Sequence, residues 1–283
     1  MGDRVARALA ASFVIVSLPA AAREEPLWEA GMGAAVLDFP DYRGSSHSRA
    51  YVLPAPYVVY RGDLVRADRN GLRGMIFNND RVDVNLSLGA SLPVSSKDND
   101  ARAGMPDLKP TFEIGPSFDF TLVRAPDRRW NVDLRFPVRG AISLESHPRY
   151  VGTQVFPHVN LDYHDPFGFG GWNLGLLGGA VYTDTRYNDY FYSVPEAYAT
   201  PSRPAFEAKG GYAGSEFIVA LSKRYPKFWV GGFARYDALQ GAKFVDSPLV
   251  TSKHYFAAGI AISWILGESK ERVAVDAYGE RPR

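Results

Sequence analysis

HYFAAGIAISWIL, residues 254–266, holds no acid and no base stronger than histidine. Its 13 residues fall short of the roughly 20 apolar residues that a transmembrane helix needs. Read in steps of two, it divides cleanly. Phe256, Ala258, Ile260, Ile262, Trp264 and Leu266 share one face, and Ala257, Gly259, Ala261 and Ser263 share the other. Large and apolar against small is a strand pattern, because successive side chains point to opposite faces. The chain then runs on through GESKERVAVDAYGERPR, residues 267–283.

The same period governs RVDVNLSLGASL (81–92), TFEIGPSFDFTL (111–122) and WNVDLRFPVRGAIS (130–143). No helix sustains alternation over that length. Weaker runs bring the expected strands to about 12: 27–37, 49–60, 63–69, 72–78, 81–93, 110–123, 129–144, 150–163, 171–184, 207–222, 228–239 and 254–266. An even number is what a bacterial single-chain barrel requires. The pair between 63 and 78 turns on Asn70-Gly71, a good hairpin dipeptide. Connections alternate between short (61–62, 78–80, 125–128, 164–170, 223–227) and long (40–48, 94–108, 184–204, 240–253). Short turns at one end and long loops at the other are the asymmetry of outer-membrane barrels. The fold class expected is therefore all-β, a transmembrane antiparallel β-barrel in the bacterial outer membrane.

Tryptophan marks one end. Trp28, Trp130, Trp172 and Trp264 fall on the outward parity at the short-turn end, where amphipathic rings anchor a barrel to the membrane interface; Trp229 is out of phase. Pro54, Pro56, Pro116, Pro137 and Pro157 fall inside expected strands, where each forfeits a ladder hydrogen bond, so either bulges sit there or the strands are shorter than drawn.

The chain begins with Arg4 and Arg7, an apolar run from Ala8 to Ala20, and small residues up to Ala22. These are the parts of a secretory signal peptide, residues 1–22, leaving a barrel over 23–266 and a charged, flexible periplasmic tail over 267–283. Loss of Asp3, Arg4 and Arg7 takes the formal charge from +1 to neutral. A neutral chain without basic blocks offers nothing to nucleic acid. The absence of cysteine excludes thiol catalysis and Cys-based zinc sites.

The inward parity of 110–144 carries Glu113, Asp119, Asp133, Arg135 and Arg139. Pairing Asp119 opposite Arg135 avoids apposed like charges. Such a lining could select solutes or bind a ligand; the reading favoured by the way small barrels fill their interiors is a salt-bridged network in a narrow lumen. Glu145, Ser146 and His147 supply acid, nucleophile and base on paper, but sequence neighbours on a turn point apart. No enzyme, cofactor or metal site is expected. The loop bearing Tyr187, Tyr190, Phe191 and Tyr192 suits a recognition surface, a lid over the mouth, or a rest at the lipid headgroups.

Several short motifs resemble the MipA/OmpV family of outer-membrane proteins. They are Gly31-Met32-Gly33, Pro40-Asp41-Tyr42-Arg43-Gly44-Ser45, Leu53-Pro54, Tyr60-Arg61-Gly62, Tyr190-Phe191-Tyr192-Ser193-Val194 and Ser247-Pro248-Leu249-Val250. The resemblance implies a barrel acting as a scaffold between a murein lytic transglycosylase and a bifunctional penicillin-binding protein, with outer-membrane lipid around it and no catalytic residues. The alternative is a narrow channel for small solutes. Ser193 stands where the family usually has glycine, and the tail from Gly267 extends past the family's usual end.

Overall fold

The structure, a computed structural model, describes residues 23–62, 65–68, 71–74, 77–78, 81–168 and 170–275. The expected signal peptide, the turn residue Asn70 and residues 276–283 lie outside the described residues. The chain runs through β1 (Arg23–Pro26), β2 (Trp28–Pro40) and β3 (Ser48–Arg61). Three short strands follow: β4 (Val65–Asp68), β5 (Gly71–Gly74) and β6 (Phe77–Asn78). Next come β7 (Val82–Ser91), β8 (Thr111–Arg124), β9 (Trp130–Ser143), β10 (Tyr150–Val155), β11 (His158–His164) and β12 (Trp172–Thr183). The α-helix α1 (Thr185–Tyr192) precedes β13 (Gly211–Arg224), β14 (Phe228–Ala238), β15 (His254–Glu268) and β16 (Arg272–Val275).

Each long strand pairs antiparallel with its sequence neighbours, and β15 returns to pair with β2. At the other seam β4 and β5 form a hairpin on β3, β6 pairs β7, and β5 lies alongside β7. Counting β5 with β6 and β10 with β11 as interrupted staves, the described residues make a barrel of twelve. Closure reduces the free edge that an open sheet of this length would expose.

The two faces are chemically opposite. On β15, Phe256, Ile260 and Leu266 are 73%, 68% and 75% exposed, whereas Ala257 and Ser263 are at most 2% exposed. Val52, Val58, Val219, Phe217 and Leu122 extend this apolar outer surface around the wall. Such a belt is stable only against hydrocarbon. No helix among the described residues is long and apolar enough to cross a membrane, so the strands do the crossing. The inner face stays small along the β2–β15 seam because a Cβ at Gly31 or Gly33 would strike the Trp264 and Ile262 carbonyls.

The bulges expected at the prolines do not form, whereas the strand drawn over 150–163 is interrupted at Pro157. The β2–β3 register runs unbroken past Pro54 and Pro56, so their missing N–H groups fall on the other edge of β3. That edge is paired, among the described residues, only at Tyr60 and Arg61. An edge is where proline costs least. Pro157 parts β10 from β11, while Phe156 N–H still donates to Pro137 O and Ala180 N–H to Pro157 O. Bulges occur instead between Thr121 and Val123, Ala180 and Tyr182, Tyr150 and Gly152, and Ile265 and Gly267.

The expected flexible tail is also altered over residues 267–275. β15 continues to Glu268, and β16 pairs with β1 with Val273 and Val275 buried. Leu27 N–H donates to Glu271 O and Ser269 N–H to Trp28 O, carrying the β2–β15 seam past the wall as a two-stranded ribbon.

The apolar core sits in the long loops rather than in the lumen. Residues 41–47, 92–110, 184–210 and 239–253 pack together around Tyr42, Leu108, Phe191, Tyr192, Val194, Phe244 and Leu249. Tyr192 and Phe244 stack with ring centres 3.6 Å apart. This is a globular plug built on the barrel's mouth.

Candidate functional site

The inward side chains form three tiers of charge. At the short-turn end, Glu29 is fully buried and meets Arg61 and Arg224 at 2.8 Å each, with Tyr57 Oη donating at 3.4 Å. In the middle, Arg135 stands among Asp162 at 3.1 Å, Asp133 at 3.2 Å and Asp119 at 3.8 Å. Asn85 and Ser117 donate to Asp119, Asn131 to Asp133 and Asn160 to Asp162. Near the mouth, Arg139 lies 3.6 Å from Glu113, and Arg235 binds Glu216 at 2.7 Å and Asp237 at 2.5 Å. Each of these carboxylates faces a guanidinium, which offsets part of the cost of taking both charges out of water.

The register places Asp119 opposite Arg135. The structure thus gathers Asp119, Asp133 and Arg135 into one cluster and puts Glu113 with Arg139 in another, higher up. Across the lumen, between the charges at the two ends, the lining is aromatic. Trp229 pairs with Ser263 on the inward parity, lies against Gly231 and sits 6.4 Å from Tyr57, and Phe233 stands 5.8 Å from Phe39. Trp229 is out of phase because it belongs to the lumen. Trp28 and Trp264 are 41% and 51% exposed on the outer surface, and Trp130 and Trp172 are half-buried there.

The aromatic loop is folded inward. Asp184 caps α1 by accepting from Tyr187 N–H at 2.8 Å, and it also accepts from Thr153 N–H. Tyr187 Oη then donates to Glu113 at 2.9 Å, so the helix reaches into the lumen and touches its outer charge tier. Phe191 and Tyr192 are buried, and Tyr190 Oη accepts from Lys109 N–H. Of the three uses open to this loop, its geometry is that of a lid.

Long-range bonds fasten the lid. Tyr42 Oη donates to Leu249 O at 2.7 Å, Tyr192 Oη to Arg43 O at 3.0 Å, and Ser247 Oγ to Tyr192 O at 2.6 Å. Arg102 donates to Phe191 O and Asn99 to Asp41. Arg43 reaches down from the first loop to Asp237 at 2.8 Å, tying plug to wall. Burial opposes the Arg43 charge, but Tyr255 and Asp237 beside it hold the guanidinium above its ordinary range. Burial pushes Tyr42 up to about 12, and burial with Glu113 alongside raises Tyr187 well above the ordinary range.

Sequence reasoning missed Glu29, Glu216, Arg235 and Asp237, although all four sit on the inward parity of their strands and were open to the same test. Arg43 and Arg102 gave no such signal, since loops carry no period. Ser146 Oγ lies 3.3 Å from His147 Nδ1 on an exposed loop, but Glu145 binds Ser143 and Arg149 instead, so no triad forms. Among the described residues no three His, Cys, Asp or Glu are grouped to hold a metal.

A closed antiparallel barrel with an apolar outer belt, a polar lumen and all its long loops at one end is a transmembrane barrel of the bacterial outer membrane type. Residues 31–266 match the model of the family described as MltA-interacting protein MipA, and the chain belongs to that family. It is similar to outer membrane protein OmpV of Vibrio cholerae serotype O1, 23% identical over 211 residues, covering 72% of this chain and 75% of the relative. Outer membrane protein Omp26La of Vibrio anguillarum is 21% identical with the same coverage. The protein is an outer-membrane β-barrel.

Proposed function

We infer that this barrel is a non-enzymatic scaffold whose periplasmic side receives murein-remodelling enzymes, a lytic transglycosylase together with a bifunctional penicillin-binding protein. The observation that carries the reading is the ribbon of β1 and β16, which continues the β2–β15 seam beyond the wall at the end where the turns are short. That end faces the periplasm in outer-membrane barrels. The family's description as MltA-interacting supports a lytic transglycosylase as one partner. The girdle of Trp28, Trp130, Trp172 and Trp264 fixes the barrel's depth in outer-membrane lipid, so that the ribbon emerges at a defined height.

The alternative, a narrow solute channel, draws on the lumen charges Asp119, Asp133, Asp162 and Arg135. It requires the plug to move aside, and the bonds of Tyr42, Tyr187 and Tyr192 oppose that. Photo-crosslinkers at Lys270 in the ribbon turn and Asp127 in the β8–β9 turn separate the readings. Capture of a lytic transglycosylase in intact cells is expected; capture of lipid alone would remove the scaffold reading. Conductance in planar bilayers, altered in selectivity by Arg135→Ala, would favour the channel.

A further inference from the structure

One sector of the outer rim is built differently from the rest. Above β10, β12 and β13, the exposed cations Arg186, Lys209 and Lys243 are brought together by backbone. Gly210 N–H donates to Thr185 Oγ1 at 3.1 Å, setting Lys209 beside Arg186. Lys243 N–H donates to Tyr212 O at 2.8 Å, and its side chain lies against Gly211. Among the described residues none of the three forms an ion pair. Asp184, the nearest acid in sequence to Arg186, is spent on the N–H groups of Tyr187 and Thr153; Asp189 and Glu207 are exposed.

Directly below these cations the wall turns aromatic. The Arg186 guanidinium stands 5.4 Å from the Tyr150 ring centre, and Tyr182 packs edge-on against Tyr212 at 5.8 Å. Tyr150 and Tyr182 are exposed on the outer surface. Lower still, the Phe217 ring lies across Gly178, leading into the apolar belt. Cations over interfacial tyrosines over an aliphatic wall follow the order of phosphate, headgroup boundary and acyl chain in a lipid.

We propose that Arg186, Lys209 and Lys243 form a docking site for the phosphate groups of an acylated glycolipid in the outer leaflet, whose chains lie along the wall beneath Tyr150, Tyr182 and Tyr212. Charge complementarity and continuity with the lipid-facing belt select this occupant over a soluble anion, which has no use for the aromatic step. The proposal is independent of the scaffold reading.

The test titrates the full detergent-solubilised barrel with diphosphoryl lipid A, its dephosphorylated form and inorganic phosphate, read by native mass spectrometry. Each basic residue near an anionic lipid surface contributes roughly five-fold in affinity, so Arg186→Ala/Lys209→Ala/Lys243→Ala binds diphosphoryl lipid A about a hundred-fold more weakly. Lys97→Ala, on a different rim loop, binds as the wild type does. Heat-modified gel migration checks that each variant is folded, and Lys209→Glu alone supplies the readout should the triple variant not fold. Equal lipid occupancy in folded variants and wild type would overturn the proposal. So would full displacement of the lipid by inorganic phosphate, which would make the rim a site for free anions.

Discussion

The wall and the plug of this protein are packed inside out relative to each other. In the wall, Phe256, Ile260 and Leu266 point outward and Glu29, Arg135 and Asp237 inward. In the plug, Tyr42, Phe244 and Leu249 are buried and Lys97, Asp98 and Lys243 face out. One chain satisfies both rules because its surroundings change along it. Hydrocarbon fills the space against the wall and water surrounds the plug, so each part turns its apolar groups toward the phase that tolerates them. Arg43, paired with Asp237, and Tyr187, bonded to Glu113, join the two regimes.

The largest effect is expected at the first of these joints. Asp237→Ala leaves Arg43 and Arg235 without their shared carboxylate and should destabilise the barrel by about 3–5 kcal/mol, the usual result of breaking a buried pair from one side. Urea unfolding in lipid vesicles measures the loss, and protease cutting in residues 41–47 should rise with it. Stability unchanged within 1 kcal/mol, or loops still resistant, would mean that plug and wall are held by something else.

The next is pH. The folded Tyr42 pKa of about 12 lies above the ordinary value near 10, so folding favours the protonated phenol. Its contribution is complete below pH 10 and vanishes as pH climbs through 12, worth about 3 kcal/mol at most. Limited proteolysis of residues 184–210 should therefore accelerate between pH 10 and 12 while the wall keeps its strand circular dichroism. Simultaneous loss of both would show one cooperative unit.

A matched pair of substitutions tests the inversion itself. Leu249→Ala opens a cavity that the plug cannot refill, about 4 kcal/mol; Ile260→Ala faces lipid chains that close over the gap, leaving only the transfer loss of about 2 kcal/mol. Equal costs would contradict the assignment of the two environments. The smallest expected effect is Tyr42→Phe, which forfeits the bond to Leu249 O for about 1 kcal/mol and removes the alkaline step above. Persistence of that step in the variant would assign it to Tyr187 or Tyr192.

The staves were legible where two unlike phases press on a strand. Val82 to Ser91, Thr111 to Arg124 and His254 to Glu268 alternate because every second residue meets lipid. The cluster of Asp119, Asp133 and Arg135 was legible for the same reason, since parity and the avoidance of like charges leave few registers. Trp229 looked like an exception only until the lumen had an aromatic lining to receive it. Asp162, Glu216 and Asp237 show the limit. Their parity marks them as inward, but the choice of arginine for each depends on the register between neighbouring strands, which alternation alone leaves open.

By itself the sequence determined the strand period, the sidedness of the wall and the segregation of short turns from long loops. These follow from local alternation against hydrocarbon and need no partner distant in the chain. The tertiary structure alone decided that the loops close into a plug, that Arg43 meets Asp237 and Tyr42 meets Leu249 some 200 positions away, and that Arg272–Val275 returns to pair with Arg23–Pro26. Loop residues carry no period, and only closure of the barrel brings their ends to a common mouth, where burial of apolar side chains rewards the contacts that the sequence leaves unspecified.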